Sequence, residues 1–128
     1  MLPDDAVDRI AEGCRQIGAL CKSQGIEQWE VVATQSYGHS IDIEAGKISL
    51  AAGGGEGGYG VRVVEDGRFG YAYLVDLSSA EYALKQARDI AKASPSVAGF
   101  VLPSEQPAEK VGGLFDTNIL NIGPEDLL

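Results

Sequence analysis

His39 is the single histidine of the chain, and Cys14 and Cys21 are its two thiols. A zinc ion takes three or four such ligands, so no ligand set is available here. The two cysteines lie seven residues apart in a helical pattern, which separates them by two turns, about 10.5 Å, too far to form a disulfide with each other. A Ser-His-Asp arrangement around His39 has no Gly-x-Ser-x-Gly elbow to support it. Asp42 and Glu44 share one strand face, and paired carboxylates do acid–base work only where their surroundings drive their pKa values apart. On an open sheet face both are simply solvated. Arg62 and Arg68 flank Asp66-Gly67. Side by side they would form a fork for a carboxylate such as a peptide terminus; the plainer reading is a cross-strand salt bridge. Gly55-x-Gly57-x-x-Gly60 copies the dinucleotide-binding spacing. That motif works only between a strand and a helix, whose N-terminus holds the pyrophosphate. Here a strand follows, and Glu56 repels phosphate. No catalytic and no metal-binding residue is expected in this chain.

The elements that position these residues follow from periodicity. Val7, Ile10, Cys14, Ile17 and Cys21 form one apolar stripe at helical spacing, predicting a helix over about 4–24. Asp4 or Asp5 can cap its start and Gly25 can end it. Gly13 and Gly18 weaken it by roughly 1 kcal/mol each relative to Ala. Trp29 to Thr34, His39 to Glu44 and Ile48 to Ala52 alternate like strands. The run Gly53-Gly54-Gly55-Glu56-Gly57-Gly58 is too rich in glycine for regular structure and reads as a flexible hairpin loop, or as a mobile flap. Gly60 to Glu65 and Arg68 to Val75 flank an Asp66-Gly67 hairpin turn. The expected fold is α+β: an antiparallel five-stranded meander with two helices packed on one face. The second helix spans about 79–93, with Ser78 and Glu81 at capping-box spacing and Pro95 as its stop. Its face of Ala80, Ala83, Leu84, Ala87, Ile90 and Ala91 suits close packing.

Residues 1–95 thus read as an α+β N-terminal domain. Residues 96–128 read as a connecting arm, pinned by Phe100, Val101, Leu102, Leu114 and Phe115. Pro124-Glu125-Asp126 reads as the start of a next helix, so the sequence is expected to continue beyond Leu128.

The chain has 128 residues, a length that suits one domain, and a formal charge of −9 from ten basic and nineteen acidic side chains. Nucleic-acid affinity comes from Lys and Arg neutralising phosphates, so direct DNA or RNA binding is disfavoured, as are anionic membranes. No apolar run approaches the roughly 18 residues that span a bilayer, and the acidic start lacks the features of an export signal. Buried free thiols fit a reducing compartment, so a cytoplasmic location is expected.

The stretch from Gly58 to Tyr73 contains a Val61-Arg62-Val63 strand, an Asp66-Gly67-Arg68 turn and a Gly70-Tyr71-Ala72 return strand, followed by Asp76-Leu77-Ser78. This order resembles the N-terminal signature of the TldD/PmbA family. The helix end Ala91-Lys92-Ala93-Ser94-Pro95 and the later Leu102-Pro103 are closer to its PmbA-like branch. The resemblance covers about residues 5–128. It implies Gly60, Asp66, Gly67 and Gly70 as the structural signature, with Arg62, Arg68 and Tyr59 as candidate peptide or partner contacts. It also implies a longer parent, either a zinc metallopeptidase or its non-zinc companion subunit, with any zinc held outside this segment or by the partner. The function implied is a non-catalytic N-terminal domain that serves proteolysis or maturation of peptides. Its partners would be a TldD-like subunit or a second copy, and its substrate a peptide or unfolded protein. The alternative is a binding module acting on DNA gyrase or another protein, without peptidase activity.

Overall fold

A computed structural model describes residues 6–127. Helix α1 spans Ala6–Ser23 and ends at Gly25, whose φ of +66° is the left-handed turn expected there. Three strands follow: β1 (Gln28–Glu44), β2 (Lys47–Glu65) and β3 (Arg68–Leu74). They form one antiparallel sheet in the order β1-β2-β3. Helix α2 spans Ala80–Ala93 after a short 3₁₀ turn at Leu77–Ser79. Two further 3₁₀ turns, Thr117–Asn121 and Pro124–Leu127, lie near the C-terminal end. The candidate caps Asp4 and Asp5 lie outside the described residues.

The α+β class holds, with two helices against an antiparallel sheet, but the sheet has three strands rather than five. The glycine run is not a loop. Gly53, Gly54, Gly55, Gly57 and Gly58 pair in register with His39, Gly38, Tyr37, Gln35 and Thr34. A strand needs only its backbone to form the ladder, and partner side chains cover the bare stretch. The His39 ring lies over Gly53, and Gln35 lies over Gly57. Four of the expected short strands therefore fuse into two long ones. The Asp66-Gly67 hairpin turn is as expected, and a second one forms at Ala45-Gly46; all four residues have positive φ, the geometry of a two-residue turn between twisted strands.

The core lies between the helices and one sheet face. Val61 and Val63 of β2 and Ala72 and Leu74 of β3 pack on Ile17 and Cys21 of α1 and on Ala83, Leu84, Ala87 and Ala91 of α2. Strand alternation puts Tyr59 on the same inner face. Glycine sets how closely the layers approach. A Cβ on Gly13 would stand 2.2 Å from the Tyr59 hydroxyl, and one on Gly18 would stand 2.7 Å from the Trp29 ring. These two glycines weaken α1 as a helix but let it settle onto the aromatic side chains below. At Gly70 a Cβ would stand 1.8 Å from the Ala87 carbonyl oxygen, so backbone meets backbone where α2 crosses β3.

The capping box expected at Ser78 and Glu81 is not what starts α2. Ser79, at the N-cap, makes no side-chain capping bond; the Asp76 carboxylate instead accepts from the Ser78 backbone N–H at 2.8 Å. That bond holds the Asp76 carboxyl below its ordinary pKa. An aspartate reaching two residues ahead forms a tighter local turn than the serine can, so the chain enters α2 through a 3₁₀ turn.

Candidate functional site

Among the residues proposed for contact, the three do not converge. Tyr59 lies in the core, 8% exposed, with its hydroxyl end against Gly13. Arg68 donates to the Ser94 carbonyl at the end of α2. Arg62 donates to Glu30 at 2.6 Å across β1 and β2. Registers fix this outcome. Arg68 pairs with Glu65, three residues along β2 from Arg62, so the two arginines emerge on opposite faces and cannot grip one carboxylate together. The plain cross-strand salt bridge does form at Arg62.

The signature residues are structural in their surroundings. Gly60 and Gly58 form a bare strip on the outer face, over which the Tyr71 and Tyr73 side chains lie; Cβ atoms there would stand 2.5 and 2.3 Å from the two hydroxyls. Asp66 and Gly67 form the turn and also anchor the arm. The Ser96 hydroxyl donates to the Asp66 carbonyl, and the Val97 N–H donates to the Gly67 carbonyl. From there the arm crosses the outer face. Phe100 stacks on Phe69 with ring centroids 5.5 Å apart, and the Leu102 N–H donates to the Gln28 side chain. Val64, on this outer face, is thereby only 1% exposed. Beyond the arm the outer face stays open: Val32, Tyr71 and Tyr73 are each 54% exposed beside the Glu30–Arg62 pair.

Past Gly58, β2 has β1 alone as neighbour, and the two form a ribbon that stands clear of the helices, with every residue from 42 to 56 exposed. Its two faces differ. Tyr37, His39, Ile41 and Ile43 project from one side, with Gly55, Gly53, Ala51 and Ile48 opposite them. Ser36, Ser40 and Asp42 project from the other. A bulge between Asp42 and Ile43 adjusts the register near the tip. The extra residue is Ser49 on β2, so β1 keeps its alternation and Asp42 and Glu44 share one face, both exposed. The 3₁₀ turn Pro124–Leu127 packs against β1, leaving a cavity of about 360 Å³ between Tyr37 and His39 on one wall and Phe115, Ile119, Ile122 and Leu127 on the other. This surface was not expected from the sequence, although the run of alternate apolar residues from Tyr37 to Ile43 was the signal for it.

The zinc that the family implies finds no fitting donor set in this segment. Among the described residues no three His, Cys, Asp or Glu side chains gather into a metal-binding group. His39 stands on the ribbon, and Cys21 is fully buried in the core, where desolvation pushes its thiol up to about 11. Burial also raises Cys14. Both thiols are held in the protonated form that binds metal poorly. No helix among the described residues is long and apolar enough to cross a membrane.

A family model, the PmbA/TldA metallopeptidase domain 1, matches residues 29–91, which run from β1 to the last turn of α2. The chain belongs to the TldD/PmbA family. Two solved structures share the fold. TldE from Thermococcus kodakarensis aligns with a TM-score of 0.73 at 18% identity, covering 85% of this chain. A candidate modulator of a DNA gyrase from Thermotoga maritima aligns with a TM-score of 0.72 at 14% identity, covering 91% of this chain. In each case the match spans 26% of the solved chain, so this TldD/PmbA segment corresponds to about a quarter of those proteins. A comparison with curated proteins finds no match.

Proposed function

We propose that this TldD/PmbA first domain is a non-catalytic part of a metallopeptidase-related protein that degrades or matures peptides together with a partner subunit, in the cytoplasm. The observation that carries this reading is the match to the metallopeptidase family's first domain over the entire sheet base and α2. Its task would be to hold the partner subunit and help wall the space where a peptide is processed. The open outer face and the amphipathic ribbon are the surfaces it offers. Zinc, where the assembly uses it, would be held outside this segment.

The test is peptide hydrolysis by the 128-residue chain with added zinc, with and without a TldD-like subunit. No turnover by the chain alone is expected, together with co-purification of the subunit. Turnover by the chain alone overturns the reading. A second reading, a module that docks on DNA gyrase, is favoured by the description of the Thermotoga maritima structure. Recovery of gyrase and no TldD-like subunit in a pull-down would select it.

A further inference from the structure

We infer that the cavity between the ribbon and the C-terminal 3₁₀ turns is a docking groove for a short segment of a partner protein that presents one or two large apolar side chains flanked by lysine or arginine. This inference does not depend on the peptidase reading. Three observations carry it.

The first is shape and lining. The cavity holds about 360 Å³, room for one or two large apolar side chains, and its walls are Tyr37 and His39 on the ribbon and Phe115, Ile119, Ile122 and Leu127 opposite. The second is that this lining is only half satisfied by the chain itself. Phe115 is 59% and Ile119 60% exposed, although both face a cavity already walled by aromatic side chains. Apolar side chains gathered around a pocket and left open to water are the mark of an anchoring site.

The third is charge, and it selects the occupant. The C-terminal wall carries Asp116, Glu125 and Asp126 with no base between 111 and 127. Asp116 and Asp126 also accept backbone bonds, from Asn118 and Gly123, which keeps their carboxylates fixed beside the groove. The ribbon carries Asp42, Glu44 and Glu56 against the single Lys47, all on the face turned away from the cavity, where they add only to the overall negative field. An apolar slot whose C-terminal wall is acidic, in a chain of formal charge −9, repels a second copy and attracts a basic-flanked segment.

The experiment titrates the full chain with three synthetic peptides, followed by amide chemical shifts. One has a central Leu-Phe pair flanked by lysines, one has the same pair flanked by glutamates, and one has lysines around a central Ser-Ser pair. The lysine-flanked Leu-Phe peptide should bind at least about ten-fold tighter than either of the others. Its shifts should fall on Gly38, Gly53 and residues 115–127, and its affinity should fall as salt rises. Ile119→Ser and Ile122→Ser should each weaken it about ten-fold. Both positions are exposed at present, so the variants should keep the thermal stability of the parent. Equal binding of the glutamate-flanked peptide overturns the charge argument. Equal binding of the Ser-Ser peptide reduces the site to non-specific attraction. Shifts that map elsewhere, or variants that bind like the parent, overturn the groove itself.

Discussion

Gly70→Ala would place a methyl group 1.8 Å from the Ala87 carbonyl oxygen and 2.6 Å from the Ala91 nitrogen. Both obstacles are backbone atoms, so no side-chain rotation relieves the clash. To reach ordinary contact the carbonyl must retreat to 3.4 Å or more, and α2 must lift as a unit because its hydrogen bonds tie Ala87 to its neighbours. Lifting α2 loosens Ala83, Leu84 and Ala87 from Val63, Ala72 and Leu74, which together make up much of the core. Overpacking of this kind costs about 1–3 kcal/mol and more where relaxation is blocked, so about 3 kcal/mol is expected. Glycine in a strand interior is otherwise the weaker choice by roughly 0.5–1 kcal/mol, so without the clash alanine would stabilise. The two effects have opposite signs, which makes the outcome decisive. Thermal melting followed by circular dichroism should show a fall of about 10 °C or more for a domain of this size. Gly54→Ala is the control: a Cβ there meets nothing within 4 Å, and the change should stay within about 0.5 kcal/mol. A Gly70→Ala protein that melts within about 2 °C of the parent would refute the close-approach argument.

Gly13→Ala should destabilise by about 1 kcal/mol or more despite the better helix propensity of alanine, and adding Tyr59→Leu should recover part of the loss, because the Tyr59 hydroxyl and the ring edge that carries it, at 2.2 to 2.6 Å, are the atoms in the way; a double-mutant cycle in urea measures the coupling. Arg88→Ala should cost about 1–2 kcal/mol in urea unfolding, since Arg88 holds Glu65 through two bonds of 3.2 and 2.8 Å at a half-buried site. The Cys21 thiol titrates at about 11 in the fold against 9.0 in the unfolded chain. The raised value means the native state keeps its proton longer, so this contribution is complete below pH 9 and is lost as pH rises to about 11. Urea midpoints across that window should fall in the parent and fall less in Cys21→Ala. Cys21 should also react more slowly than Cys14 with an alkylating reagent at pH 8, as mass spectrometry of timed samples would reveal.

The helices and turns were legible because each rests on local chemistry. The apolar stripe from Val7 to Cys21 and the small-residue face of α2 have one period each, and Asp66-Gly67 has one favoured geometry. The long strands were not legible, because a glycine run has no side-chain pattern to reveal pairing. What stabilises Gly53–Gly58 is the row of partners from Thr34 to His39 and the tyrosines of β3, all of them remote in sequence. The separation of Arg62 from Arg68 could have been read by counting positions across the two-residue turn, since one odd step reverses the face. The family was legible in the Gly58–Tyr73 stretch, whereas the groove was not. Its two walls lie more than seventy residues apart, and nothing local links Tyr37 to Phe115.

The ribbon's middle has a consequence for how this architecture can vary. Glycine offers nothing that distinguishes one pairing from a neighbouring slip, so alignment is enforced only at the ends, by the valines below and by the tight Ala45-Gly46 bend above. A lone inserted residue between them would carry a phase error to the tip and send Ile48 to the wrong side. Matched pairs removed from both strands would keep the two ends in phase. The blank stretch therefore acts as an adjustable spacer, letting the tip's reach lengthen or shorten while the packed base is left as it is.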